Sequence, residues 1–457
     1  MTSGLPTVSV AETLAEKIAA LKPGALPVAT TRKCEDLLID VMGLCVTARN
    51  EDYIGSALAG CDDDGPCTAI GHARTLTSSG AAFVNGTAAH GEDFDDTFEG
   101  GPVHAGAVIV PAVVAACERH NPDGRMALIG IAVGTEVLCR LSLVVPKAVH
   151  KAGFHPTAVF GAMGAAAGVG AALGLNARQI VDALGIAGSM AGGIIEYLAE
   201  GSWTKRLHAG WAAQSGLRAA LLARGGFVGP RTVFEGVHGL FNGFARTIDG
   251  DYAALTGDFG TRWVTDTLAF KPYPCGTMAQ PYIDCARRLA ARGIKAEGVV
   301  EIVCEVAEGT VHRLWEPLAD KQRPPNGYAA KFATPYLLAT GFVHGGVGLG
   351  AFTESAIRDA RVLALAAKVK FVIDPDNPYP NTYTGHLRAT MKDGSVIEVR
   401  QPYLRGGAQE PLTRQDVADK FVLNVRHGGW SKVQSDAALK LMAGLYRGKI
   451  DLSSLRG

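Results

Sequence analysis

Two charge patterns in this chain run against the helices that carry them. The stretch AAFVNGTAAHGEDFDDTFEGGPVHAGAVIVP, residues 81–111, reads as helix, loop, helix. Glu92, Asp93, Asp95, Asp96 and Thr97 follow the first helix, and His104 stands on a Gly/Pro loop before the second. Carboxylates are disfavoured at a helix C-terminus, where the macrodipole is negative. The segment TKRLHAG, residues 204–210, places Lys205, Arg206 and His208 at the start of a later helix, where cations are disfavoured for the mirror-image reason. One reading is that the acids cap the next segment or pair with bases elsewhere. The other is that the two segments face each other across one cleft. A histidine beside carboxylates then suits proton transfer, and a lysine supplies fixed positive charge to an anion.

Two further segments carry chemistry. In GFHPT, residues 153–157, Pro156 fits the first turn of a helix. His155 then sits at a helix N-terminus, where the local field attracts anions and favours a neutral, proton-accepting ring. In FKPYPCG, residues 270–276, Lys271 stands where the composition of the chain changes, and pockets favour domain boundaries. A rival reading gives Asp93 and Asp96, spaced i, i+3, to a divalent cation. The run HGGVGLG at 344–350 lacks the strand and acidic partner of a nucleotide loop.

The elements that must position these residues are mostly helices. Apolar residues recur at helical spacing over Ser9–Leu21, Cys34–Ala48 and Met126–Leu143, and a small-residue helical pattern runs from Val159 to Ala223. The stretch punctuated by Gly60, Gly65, Gly71 and Gly80 reads as connection. After Lys271 the character changes. EGVVEIVCEVAEG and AAKVKFVID alternate as strands do, and HLRATMKDGSVIEVR reads as a hairpin turning at Asp393–Gly394. Helices are expected between these, over Met278–Arg292 and Ala329–Gly341. From Pro411 the pattern is helical again. The fold class is therefore mainly α: a large all-α domain, residues 1–270 plus 408–457, with a smaller α+β domain, 271–407, inserted.

The motif FVNGTAAHGEDFDDTF…VHAGAVIVPA, with GFHPTAVFGAMGAAAG, GSWTKRLHAGWAAQSG and FKPYPCG in the same order, resembles the MmgE/PrpD family. That family holds 2-methylcitrate dehydratases, cis-aconitate decarboxylases and iminodisuccinate epimerases. The resemblance covers most of the chain. It implies that the smaller domain is a lid, that the protein is a homodimer, and that neither metal nor organic cofactor is used. It also implies catalytic roles for His104, His155, Lys205, Lys271 and Asp93, and substrate contacts from Thr97 and His208. Ala105 stands where relatives often have proline, and the loop FEGGPV lacks the His or Arg some carry; both differences bear on substrate identity. The reaction implied removes a proton, or replaces one, beside a carboxylate of a small di- or tricarboxylate. Dehydration comes first, decarboxylation close behind, and epimerisation by two opposed bases is the alternative.

Bulk numbers bound the rest. The chain has 457 residues, 47% apolar and 19% charged, a globular balance. Lys plus Arg equals Asp plus Glu at 44 each, so no basic excess suggests nucleic acid or a membrane surface as partner. Nine cysteines without metal-ligand spacing suit a reducing compartment, and the N-terminus lacks the pattern of a secretory signal. A cytoplasmic location is the expectation. The uncharged run Thr157–Leu175 is rich in Ala and Gly and reads as a buried helix rather than a membrane span.

Overall fold

The computed structural model describes residues 7–457, and the chain is mainly α-helical. It divides into two compact units: one runs up to Leu268 and resumes over Thr413–Gly457, the other is Ala269–Leu412.

The first unit begins with α1 (Val10–Ala19), started by a capping box of Ser9 and Glu12. Helix α2 (Val28–Thr47) starts directly after Pro27, earlier than its apolar pattern announces. Helix α3 (Asp52–Ala59) and a two-stranded hairpin, β1 (Asp64–Thr68) and β2 (Thr75–Leu76), occupy the stretch expected to be connection. Strands of five and two residues, interrupted by Gly65–Pro66, are too short for alternation to show. The buried Asn85 ties this hairpin to α4 (Ser78–Gly91), accepting from Ile70 N and donating to Thr68 O.

Next come α5 (Gly106–His120), α6 (Gly124–Val144), the one-turn α7 (Ala148–Lys151) and α8 (Pro156–Ala172). Helix α6 is long and apolar enough to cross a membrane, yet 94% of its apolar window is buried inside the fold. Every residue of α8 is buried. These two helices touch backbone to backbone: a Cβ on Gly134 would fall 2.9 Å from Gly164 O, and one on Gly168 would fall 2.6 Å from Gly130 O. Small residues give up helix propensity, roughly 1 kcal/mol per glycine, and gain this close approach.

The long small-residue pattern that follows is not one run. It breaks into α9 (Ala177–Met190), the one-turn α10 (Tyr197–Glu200) and α11 (Thr204–Arg224), and the short α12 (Leu240–Ala245) and α13 (Tyr252–Thr256) close this part. Helix α11 packs on α4 through two glycines. A Cβ on Gly86 would lie 2.8 Å from the Gly210 Cα, and one on Gly210 would overlap Phe83 O and Thr87 Oγ1.

The second unit has its own core. Helix α14 (Gln280–Ala291) precedes β3 (Val299–Val306), and α15 (Glu308–Leu314), α16 (Leu318–Gln322), α17 (Gly327–Ala330), α18 (Thr334–His344) and α19 (Ala360–Ala366) follow. Strands β4 (Val369–Ile373), β5 (Gly385–Met391) and β6 (Val396–Gln401) complete a sheet of order β4-β3-β5-β6. β3 is parallel to β4 and antiparallel to β5, with Cys304 opposite both Phe371 and Leu387. Ile302, Cys304, Leu387, Ala389 and Val399 turn inward onto Ile283, Trp315 and Leu337. The β5–β6 turn at Asp393–Gly394 uses the positive φ of Gly394, 84°. The chain then returns to the first unit with α20 (Arg414–His427) and α21 (Lys432–Gly444), both opened by capping boxes.

Candidate active site

Helix α4 ends at Gly91, and the acids follow it into a tight loop. Asp93 takes a left-handed backbone conformation, φ 57°, unusual for a residue with a side chain. Its Oδ1 lies 2.7 Å from Lys205 Nζ, and both side chains are nine-tenths buried or more. The two wrong-way charges therefore compensate each other, with Lys205 in the first turn of α11. Arg206 supports the same junction, donating from Nε to Gly91 O at 2.9 Å and lying over the Tyr53 ring.

Asp96 does something different. It accepts from Ala105 N at 3.1 Å and Gly106 N at 2.8 Å, satisfying the amides that open α5. Burial, then the neighbouring Asp95 and Asp40, push its carboxyl up to about 7, against these backbone donors. Capping of the next segment, by Asp96, and a meeting of the two charged segments, through Asp93 and Lys205, are thus both present.

His104 is held on three sides. Its N–H donates to Thr157 Oγ1 at 3.2 Å, its Nδ1 donates to Asp96 O at 2.7 Å, and Asp95 Oδ2 lies 3.7 Å from that nitrogen. The same Asp95 oxygen lies 2.6 Å from His90 Nδ1, in a pair that is wholly buried. The His90 ring lies 5.1 Å from that of His104 and stacks on His155 at 5.7 Å. His155 caps α8 and meets His208, one turn beyond Lys205, with Nδ1 to Nδ1 at 3.1 Å. Tyr197 sets its ring edge-on to both, at 6.0 and 5.7 Å.

One of two nitrogens sharing a hydrogen bond must accept, so His155 and His208 cannot both be charged there without losing it. Burial pushes His155 well below its ordinary value, helped by His90, His208, Lys205 and His104. Burial, then His90 and Lys205, bring His208 to about 4. Both rings are neutral at pH 7. The cause is burial first, rather than the helix N-terminus to which the sequence pointed.

His104, His155, Lys205, His208 and Asp93 thus form one connected cluster inside the first unit. Thr97 is buried on the loop between Asp96 and His104. Lys271 belongs to the second unit, where it is buried in the segment leading to Tyr273 and Cys275. His90, Asp95 and Tyr197 had no assigned role in the sequence. His90 sits inside the same motif, five residues before Asp95, and among the described residues its Nε2 has no hydrogen-bond partner. Only the fold shows that it joins His104 to His155.

Ligand atoms of His90, Asp95 and His104 lie within 4.8 Å of one another, close enough for a metal ion to be considered. Both Nδ1 atoms are already hydrogen-bonded: that of His104 faces a carbonyl, so it carries a proton and leaves Nε2 as that ring's open nitrogen, and that of His90 faces a carboxylate. Asp93 and Asp96 likewise turn to separate partners, Lys205 and the α5 amides.

Comparison with known proteins identifies the family. Residues 12–251 match the MmgE/PrpD N-terminal domain and residues 273–443 the MmgE/PrpD C-terminal domain. Among relatives, the Cis-aconitate decarboxylase-like protein oryM of Aspergillus oryzae is 27% identical over 446 residues, 92% of this chain and 91% of its own. The human Cis-aconitate decarboxylase is 28% identical over 441 residues, 93% of this chain and 90% of its own. The mouse Cis-aconitate decarboxylase is 29% identical over 358 residues, covering 75% and 71%. With both domains matched in order and the motif residues gathered in one cluster, the chain belongs to the MmgE/PrpD family.

Proposed function

We propose that this protein is a carboxy-lyase acting on a small unsaturated tricarboxylate of the cis-aconitate kind, with no metal or organic cofactor. The observation that carries this is the buried cluster itself: a lysine–aspartate pair beside two neutral histidines, with a third histidine tethered at the edge. In such a reaction the bond to one carboxylate breaks and carbon dioxide leaves. The electron pair spreads through the adjacent double bond toward a remaining carboxylate, and one proton adds at the far carbon. Lys205 suits the carboxylate that receives the charge, since a cation in a water-poor site stabilises developing charge strongly. The Asp96 carbonyl fixes the Nδ1 proton of His104, leaving Nε2 as the nitrogen that exchanges a proton with substrate. Neutral His155 and His208 offer the departing carboxylate no charge that would hold it as an anion.

The sequence placed dehydration first. The names of the relatives reverse that order, and dehydration is the second reading because neutral His155 is also competent as a base. The test is a panel of cis-aconitate, 2-methylcitrate, citrate and malate, followed for carbon dioxide and for loss of water, with and without EDTA. Carbon dioxide release from cis-aconitate alone, unchanged by EDTA, is expected. Dehydration of 2-methylcitrate without carbon dioxide would replace this reading with the second, and loss of activity in EDTA would remove the metal-free part.

The homodimer and the cytoplasmic setting belong to the same proposal. Trp203, Leu207 and Trp211, 48%, 38% and 47% exposed, form an apolar stripe at i, i+4 and i+8 along the start of α11. A stripe of this kind favours coverage by a second copy. All nine cysteines are free thiols, as a reducing compartment requires.

A further inference from the structure

Lys420 lies in the middle of α20, far along the chain from every residue considered so far, and it is buried. Its Nζ is 2.7 Å from Oδ1 of Asp40 on α2, a wholly buried carboxylate. The same Nζ donates to Phe94 O at 2.7 Å and lies 4.0 Å from the centre of the Phe94 ring. α20 comes this close because α2 has a glycine at the crossing: a Cβ on Gly43 would fall 2.9 Å from the Phe421 ring.

Phe94 has no chemistry of its own, but it stands between Asp93, paired with Lys205, and Asp95, shared by His90 and His104. Moving its peptide moves both carboxylates. Asp93 also holds a left-handed backbone, φ 57°, which residues with a side chain adopt less readily than glycine, so its neighbours must hold it there. Stability alone gives a poor reason for keeping this ion pair, since replacing both partners of a buried pair by apolar residues is often neutral. The bond from Lys420 to the Phe94 carbonyl gives a better one.

We propose that Lys420 is a positioning residue for the acidic loop, holding the Phe94 carbonyl so that Asp93 faces Lys205 and Asp95 faces His90 and His104. It touches no substrate. The role rests on the reading of this cluster as the catalytic site, and the two are separated by the experiment.

The full-length protein is compared with Lys420→Met, Lys420→Arg, Asp93→Asn and the double variant Lys420→Met/Asp93→Asn, using cis-aconitate. Lys420→Met should stay folded by circular dichroism and lose about ten- to a hundredfold in kcat, the scale of a misplacement of up to one ångström. Its KM should change little. Lys420→Arg should recover most of the loss. In the Asp93→Asn background, Lys420→Met should cost less than alone, because one of the two carboxylates it positions is already disabled. A folded Lys420→Met with wild-type kcat, or a loss that is fully additive with Asp93→Asn, would overturn the proposal. If Lys420→Met, which removes the cation 2.7 Å from buried Asp40, does not fold, the double variant Lys420→Met/Asp40→Asn takes its place under the same two criteria. If the wild type turns over no acid, the functional reading fails while this one is decided by ¹⁵N spectra of the histidine rings. Shifted His90 and His104 resonances in the Lys420 variant support it, and unchanged ones overturn it.

Discussion

Lys205 and His104 offer a substrate different things, and their substitutions should fail differently. His104→Ala should depress kcat by ~10²–10⁴-fold, the range for a lost acid or base, while leaving KM nearly unchanged. Lys205→Ala should raise KM as well, because a carboxylate then loses its counter-charge in ground and transition states alike. It should also remove the cation 2.7 Å from buried Asp93. Steady-state kinetics separate the two patterns, and a His104→Ala variant with more than about a tenth of wild-type kcat would remove the proton-transfer role. The neutral histidines give a second prediction at this scale. His208 stays neutral in the fold down to about pH 4, whereas in the unfolded chain it takes a proton below its ordinary 6.5. The unfolded state therefore binds more protons as pH falls from 6.5 to 4, and stability drops over that window by up to about 3 kcal/mol from this group. Thermal melting of His208→Gln should lose less between pH 6.5 and 4.5 than wild type, and parallel curves would contradict the burial argument. Much of this was legible in the sequence. Asp93 and Lys205 stood out because each opposes its own helix. Asp95 belonged to the same acidic pattern without a separate role, and His90 and Lys420 did not stand out, since nothing local distinguishes a histidine in a last helical turn, or a lysine in an amphipathic helix, from a solvated one.

At the scale of elements, the cluster depends on how closely α11 reaches α4. Gly210 lies two residues beyond His208, and a side chain there would meet the backbone of Phe83. Gly210→Ala should destabilise the protein by about 1–3 kcal/mol, as overpacking does, and lower kcat as Lys205 and His208 shift. Gly243→Ala on α12, where nothing lies within 4 Å, is the control and should be neutral or slightly stabilising. Urea melts and kcat measured on both would decide; a Gly210→Ala variant matching wild type in both would sink the close-approach argument. Periodicity revealed the long helices and the β5–β6 hairpin, whose Asp-Gly turn is a strong local signal. It could not divide residues 159–223 into α8, α9, α10 and α11. The Ala- and Gly-rich α8 is buried on every side, so no polar face marks where it stops.

For the whole molecule, composition indicated a globular chain and the change after Lys271 marked a second kind of structure, but neither decides whether Lys271 serves the substrate. Lys271→Ala tests that directly. If Lys271 serves the same substrate, kcat/KM should fall at least about a hundredfold, as for a lost electrostatic donor; an unchanged value would remove Lys271 from the site. Light scattering should give twice the chain mass of 47.7 kDa, and the bare chain mass would contradict the homodimer. The central claim, that this cluster decarboxylates a cis-aconitate-like acid by placing one proton on carbon, is tested most directly by proton NMR of the wild-type enzyme with cis-aconitate in D₂O. The expected result is loss of substrate matched by carbon dioxide, with a single deuterium on carbon in the product, formed ~10²–10⁴-fold more slowly by His104→Ala. Deuterium washing into unconsumed substrate, or a hydrated product without carbon dioxide, would contradict it.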